Sequence, residues 1–130
     1  LYGSPGLAVY AASKFAVRGL TEALELEWAA HGIRVRSIMP SFIDTPLLDA
    51  SVAGSNATAR DSVRAQGLEF TPVEQVAEAV WEAVTGDKVH TLVGKTAQKM
   101  GFAARWMPGA LRRQLGHANR DRRDSGRGAL

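Results

Sequence analysis

Tyr10-Ala11-Ala12-Ser13-Lys14 opens a helical pattern that runs without interruption to about His31. A tyrosine and a lysine four residues apart on a helix stand on one face, roughly 6 Å apart along the axis. A free phenol titrates near pH ~10, and lowering that by about three units takes about 4 kcal/mol of preference for the phenolate. One ammonium at ~4 Å in an effective dielectric of ~20 supplies a Coulomb energy of that order. Tyr10 is therefore a candidate proton donor or acceptor near neutral pH, with Lys14 as the group that tunes it. On spacing alone a second reading stands beside this one, since two such residues also meet by chance on solvated helices.

The flanks set the frame. Leu1 to Leu7 is rich in Gly and Pro and reads as a loop feeding the helix. From Val9 to His31, Ala12, Phe15, Ala16, Gly19, Leu20, Ala23, Leu24 and Leu26 form a broad apolar surface, and Gly32 stops the helix. Ile33 to Met39 reads as a short strand ended by Pro40. In Ser41-Phe42-Ile43-Asp44-Thr45-Pro46, Thr45 reads as the N-cap of a short helix from Pro46 to about Ala53. Gly54 to Gly67 reads as a polar loop or broken helix. Thr71 and Glu74 meet the capping-box offset ahead of a helix that ends at Gly86-Asp87. His90 to Gly94 is the second and last segment that reads as a strand.

Gly3, Pro5, Tyr10, Ala12, Ser13, Lys14, Ala16 and Gly19 spell Gly-x-Pro-x-x-x-x-Tyr-x-Ala-Ser-Lys-x-Ala-x-x-Gly. This resembles the active-site segment of the short-chain dehydrogenase/reductase family, and the resemblance extends to about Gly94. It implies an α/β chain: the C-terminal half of a doubly wound, Rossmann-like parallel-sheet domain, residues 1–94, with the N-terminal strands and glycine-rich phosphate loop upstream of Leu1. The implied activity is hydride transfer between NAD or NADP and a carbonyl or alcohol substrate. Tyr10 would be the general acid/base, and Lys14 would lower its pKa and hold the nicotinamide ribose. Pro40-Ser41-x-x-x-Thr45 is similar to the family's Pro-Gly-x-x-x-Thr segment. There the backbone at Ile43 and the backbone and hydroxyl of Thr45 would meet the nicotinamide carboxamide, while Ser41 puts a Cβ in the usual glycine place. The helix over 9–31 would join a second copy in a homo-oligomer. Ser4 is too near Tyr10 to be the family's catalytic serine, which is expected upstream with the partner asparagine. Alone, the 130 residues are expected neither to bind a dinucleotide tightly nor to catalyse.

In the family the region after Thr45 contacts substrate. Leu47, Leu48, Val52 and Val63 either line a site for a hydrophobic substrate or pack beneath that region.

Charge is unevenly spread: residues 1–94 carry −4 and residues 95–130 carry +7. The part with the candidate chemistry is mildly acidic, which argues against nucleic acid as its partner. Lys95 to Leu115 reads as one or two amphipathic basic helices broken at Pro108-Gly109, within an arm over 95–118. Such an arm suits a membrane surface or anionic partner, or closes over a substrate site. Residues 119–130, with six charges and two glycines, are expected to be disordered. No cysteine is present, so disulfides and thiolate metal sites are excluded, and His31, His90 and His117 show no metal-ligand spacing. His90, at a strand start, is expected to have no catalytic role. With no visible signal peptide or apolar span, a cytoplasmic setting is expected. Two other functional classes stay open: a non-catalytic binding or regulatory member of the fold, and an adaptor acting through its basic tail.

Overall fold

The computed structural model describes residues 3, 5–50 and 58–127. Ser4, Val52 and the rest of 51–57, and residues 128–130 lie outside the described residues. The chain divides into two compact units, Leu1–Leu20 with Lys99–Leu130, and Thr21–Gln98. In order the elements are α1 (Ala8–Trp28) and a 3-10 turn (Ala29–His31), β1 (Ser37–Pro40), β2 (Phe42–Ile43), a 3-10 turn (Pro46–Asp49) and α2 (Ala59–Ala65). Then follow β3 (Phe70–Thr71), α3 (Val73–Thr85), β4 (His90–Val93), α4 (Lys95–Trp106) and α5 (Pro108–Arg127).

Thr21–Gln98 holds the strands. β1 pairs in parallel with β4, Ser37 opposite His90 and Pro40 opposite Val93. β2 pairs in parallel with β3, Phe42 opposite Phe70 and Ile43 opposite Thr71. α3 packs on both β1 and β4, and the small side chains that let it approach, Ala79 and Ala83, are buried one turn apart. Arg34 closes the far end of α3, its Nη2 donating to the Val84 carbonyl at 2.7 Å, where a cation also complements the helix dipole. The helix end at Gly32 is as expected, with φ of 71°.

Four expectations are corrected. The strand foreseen over Ile33 to Met39 starts only at Ser37 and includes Pro40. The backbone before Ser37 is claimed by side chains instead: the Val35 N–H donates to Glu25 Oε2 at 2.6 Å. β2 and β3 add a second parallel pair where none was foreseen. Thr71 is not an N-cap: it lies in β3, and Pro72 precedes α3 without a side-chain cap. The capping box sits at Thr58 and Asp61 instead, opening a helix within the stretch read as a loop or broken helix. Finally, the segment from Asn119, expected to be disordered, is helical through Arg127. Propagating an existing helix costs far less than nucleating one, and Pro108 at its first position supplies the start.

Carboxylates three residues apart on α1 tie its second half to this unit. Glu22 Oε1 lies 2.8 Å from His90 Nε2, whose Nδ1 lies 2.7 Å from Ser37 Oγ. Glu25 Oε1 pairs with Arg36 at 2.5 Å. That guanidinium, and the Val35 N–H after it, hold the Glu25 carboxyl below its ordinary range.

In Leu1–Leu20 with Lys99–Leu130, Leu111 is buried, whereas Phe102, Trp106 and Met107 are exposed beside Arg105, whose Cζ lies 5.4 Å from the Trp106 ring centroid. Along α1 the large apolar side chains Val9, Leu20 and Leu26 are exposed. Among the described residues no helix is long and apolar enough to cross a membrane.

Candidate active site

The helical spacing of Tyr10 and Lys14 is realised in the first turns of α1, within Leu1–Leu20. Lys14 Nζ stands 5.2 Å from the Tyr10 ring centroid, a cation–π distance. Ser13 between them turns inward on the helix, its hydroxyl donating to the Tyr10 carbonyl at 2.7 Å. Tyr10 is 59% exposed, so a phenol and an ammonium on one helix face are open to a ligand.

Pro40, Ser41, Ile43 and Thr45 lie in Thr21–Gln98, at the carboxyl ends of the parallel strands. Open α/β sheets bind ligands at that edge. Pro40 closes β1 opposite Val93, and the Ser41 N–H donates to the Val93 carbonyl at 3.3 Å, carrying the pairing one residue further. No non-glycine residue among those described has a positive φ, so Ser41 occupies the place of a glycine without backbone strain. Ile43 pairs with Thr71, and the Asp44 N–H donates to the Thr71 carbonyl at 2.9 Å. Thr45 is extended, with φ −135° and ψ 159°, and precedes the Pro46–Asp49 turn, but its side chain makes no cap hydrogen bond. Of the two roles open to Thr45, the capping one is therefore filled by backbone position alone, and the hydroxyl is not spent on it.

Sequence reading missed Arg60. Its Nη1 lies 2.5 Å from Asp44 Oδ1 and its Nε 2.6 Å from Asp49 Oδ1. Its Nη2 donates to the Thr45 carbonyl at 3.2 Å. Both aspartates push the guanidinium further toward its charged form, Asp49 more than Asp44, and Arg60 in turn holds Asp49 below its ordinary range. The signal available in the sequence was an arginine 11 and 16 residues beyond two aspartates, a separation that no local rule connects. Leu47 is exposed, Leu48 half-buried and Val63 buried. Of the apolar residues beyond Thr45, Val63 thus serves packing.

Residues 1–56 match the family model described as short chain dehydrogenase. Oxidoreductase UcpA of Salmonella typhimurium is 35% identical over 78 residues, which are 60% of this chain and 30% of that protein. Short-chain dehydrogenase fogB of Aspergillus ruber is 39% identical over 79 residues, 59% of this chain and 29% of that one. Diacetyl reductase [(S)-acetoin forming] of Staphylococcus aureus is 39% identical over 67 residues, 52% of this chain and 26% of the relative. In three dimensions the chain is similar to a short chain dehydrogenase from Burkholderia cenocepacia crystallised in complex with NADP. The TM-score is 0.67 at 26% identity, over 87% of this chain and 43% of that one. The matches therefore span less than a third of the curated relatives' length.

Proposed function

Because this chain belongs to the short-chain dehydrogenase/reductase family, we propose that it is part of an oxidoreductase working between NAD or NADP and a small carbonyl or alcohol substrate. The carrying observation is the Tyr10–Lys14 pair on one exposed helix face, 5.2 Å from ammonium to ring centroid. Tyr10 gives its phenolic proton to the substrate oxygen in reduction, or takes it in oxidation. Lys14 stabilises the phenolate so formed and hydrogen-bonds the ribose hydroxyls of the nucleotide. A bound nicotinamide would supply or accept the hydride.

The donors and acceptors present suit that group. Within Leu1–Leu20 Lys14 brings an ammonium; within Thr21–Gln98 Thr45 brings a hydroxyl not used in capping, beside the backbone of Ile43 and Ser41 at the end of β1 and β2. In this reading residues 1–94 are the second half of the dinucleotide-binding domain, residues 95–118 are a basic arm, and the phosphate loop lies elsewhere in the parent protein. The 130 residues alone are accordingly inactive. The exposed Val9, Leu20 and Leu26 of α1 favour assembly with a second copy through that helix. The setting is cytoplasmic.

The test is Tyr10→Phe in the full-length protein. Turnover falls by at least the ~10²-fold typical of losing a positioned acid/base, while titration with the dinucleotide shows nearly unchanged affinity. Undiminished turnover would remove Tyr10 from the chemistry.

A further inference from the structure

One guanidinium gathers the turn that follows β2. The Arg60 side chain is only 19% exposed, although it pairs with two aspartates that are each more than half exposed. Its three nitrogens reach three different oxygens: Asp44 Oδ1, Asp49 Oδ1 and the Thr45 carbonyl. Its Cζ also stands 5.3 Å from the centroid of the Phe70 ring, in β3. A single exposed ion pair does little. A rigid planar fork with every edge engaged does something different, because it fixes the relative placement of all its acceptors.

The base from which Arg60 reaches is itself braced. Thr58 Oγ1 accepts the Asp61 N–H at 3.1 Å, and Asp61 Oδ2 accepts the Thr58 N–H at 3.1 Å. Val63, one turn on, is buried. At the other end, the Thr45 carbonyl accepts from Arg60 and also from the Leu48 N–H at 3.1 Å. The peptide between Thr45 and Pro46 is thus held from two directions, while the Thr45 hydroxyl makes no cap bond.

We infer that Arg60 is a positioning residue: by gripping Asp44, the Thr45 carbonyl and Asp49 together, it presents Thr45 to the carboxamide of the nicotinamide. This rests on the proposed function and on the role that the resemblance of Pro40-Ser41-x-x-x-Thr45 to the family's Pro-Gly-x-x-x-Thr segment implies for Thr45. All of the gripped oxygens belong to residues 44–49, so the effect is confined to the nicotinamide end of the dinucleotide. The adenosine and phosphate end does not feel it.

That confinement gives the experiment. The full-length protein, its Arg60→Ala variant and its Arg60→Lys variant are titrated calorimetrically with two probes. One is the preferred reduced dinucleotide. The other is the matching ADP-ribose, with the 2′-phosphate if NADPH is preferred, which lacks the nicotinamide. Arg60→Ala is expected to weaken the dinucleotide about 10-fold or more and to leave ADP-ribose unchanged. Arg60→Lys is expected to recover only part of the loss, since an ammonium cannot span the three acceptors. Equal weakening of both probes would mark a general structural role and overturn the inference, as would an unchanged dinucleotide affinity. Failure of the unaltered protein to bind either probe would overturn the proposed function, and this inference with it.

Discussion

Gly94→Ala tests the ground beneath the candidate cofactor turn. Gly94 follows β4 with a φ of 87°, and a Cβ there would stand 2.6 Å from Thr71 Oγ1 and 3.2 Å from Glu69 Oε1. Neither neighbour yields easily. Thr71 is 1% exposed, and Glu69 Oε1 already accepts the Thr96 N–H at 3.1 Å in the first turn of α4. An alanine at positive φ costs roughly 1–2 kcal/mol, and forcing a methyl into a filled site costs roughly 1–3 kcal/mol more. The variant should therefore lose about 2–5 kcal/mol of unfolding free energy. Thr71→Ala separates the two contributions. Among the described residues Thr71 Oγ1 has no hydrogen-bond partner, so its deletion forfeits no bond there, and with it gone the nearest remaining Thr71 atom is Cβ, at an ordinary 3.8 Å. In the double variant the Thr71 clash is removed while the 3.2 Å approach to Glu69 Oε1 and the backbone cost stay, which predicts a favourable coupling of about 1–2 kcal/mol. The assay is urea unfolding of the full-length protein for the two single variants and the double. A Gly94→Ala cost under about 0.5 kcal/mol, or costs that add within about 0.5 kcal/mol, would refute the contact. Because the Thr71 carbonyl accepts the Asp44 N–H, the single Gly94→Ala variant should also bind dinucleotide more weakly than the double.

Lys14→Ala in the full-length protein should lower both turnover and dinucleotide affinity, since under the proposed function one ammonium would serve both the phenolate and the ribose; unchanged affinity in steady-state and titration measurements would end the ribose role. Glu25→Gln should make stability less dependent on acid. Glu25 is held below its ordinary value of 4.5 by Arg36 and the Val35 N–H, so its stabilisation is present above that value and is lost as pH falls through the lowered folded one. Melting temperatures of the variant and the unaltered protein should differ at neutral pH and converge in acid, and a gap constant with pH would contradict the assignment.

What the sequence made legible was whatever a short window contains. Tyr10 and Lys14 face the same way because four residues is a helical interval, and Gly32, Gly86 and Pro108 punctuate the helices by local chemistry. The errors arose where distant groups competed for the same backbone. Thr71 has the offset of a capping residue, yet its carbonyl is taken by Asp44 and its strand by Ile43, so the cap is not made. Val35 alternates like a strand residue, but the Glu25 carboxylate claims its N–H. Strands of two residues, as in β2 and β3, are too short to show any period. Arg60 escaped notice for the same reason: its meaning lies in partners that only folding assembles.

The two parallel pairs are nested along the chain, and this carries a kinetic consequence. β1 and β4 join residues 53 apart, while β2 and β3 join residues separated by roughly half that distance and lie inside the larger loop. Closing the outer loop from an open chain costs about 0.6 kcal/mol more entropy than closing the inner one. Once the inner pair has formed, however, it shortens the slack that the outer pair must gather. The lower closure cost therefore favours assembly from the middle outward, with the Asp44–Thr45 turn, anchored on β3, forming ahead of the β1–β4 pairing.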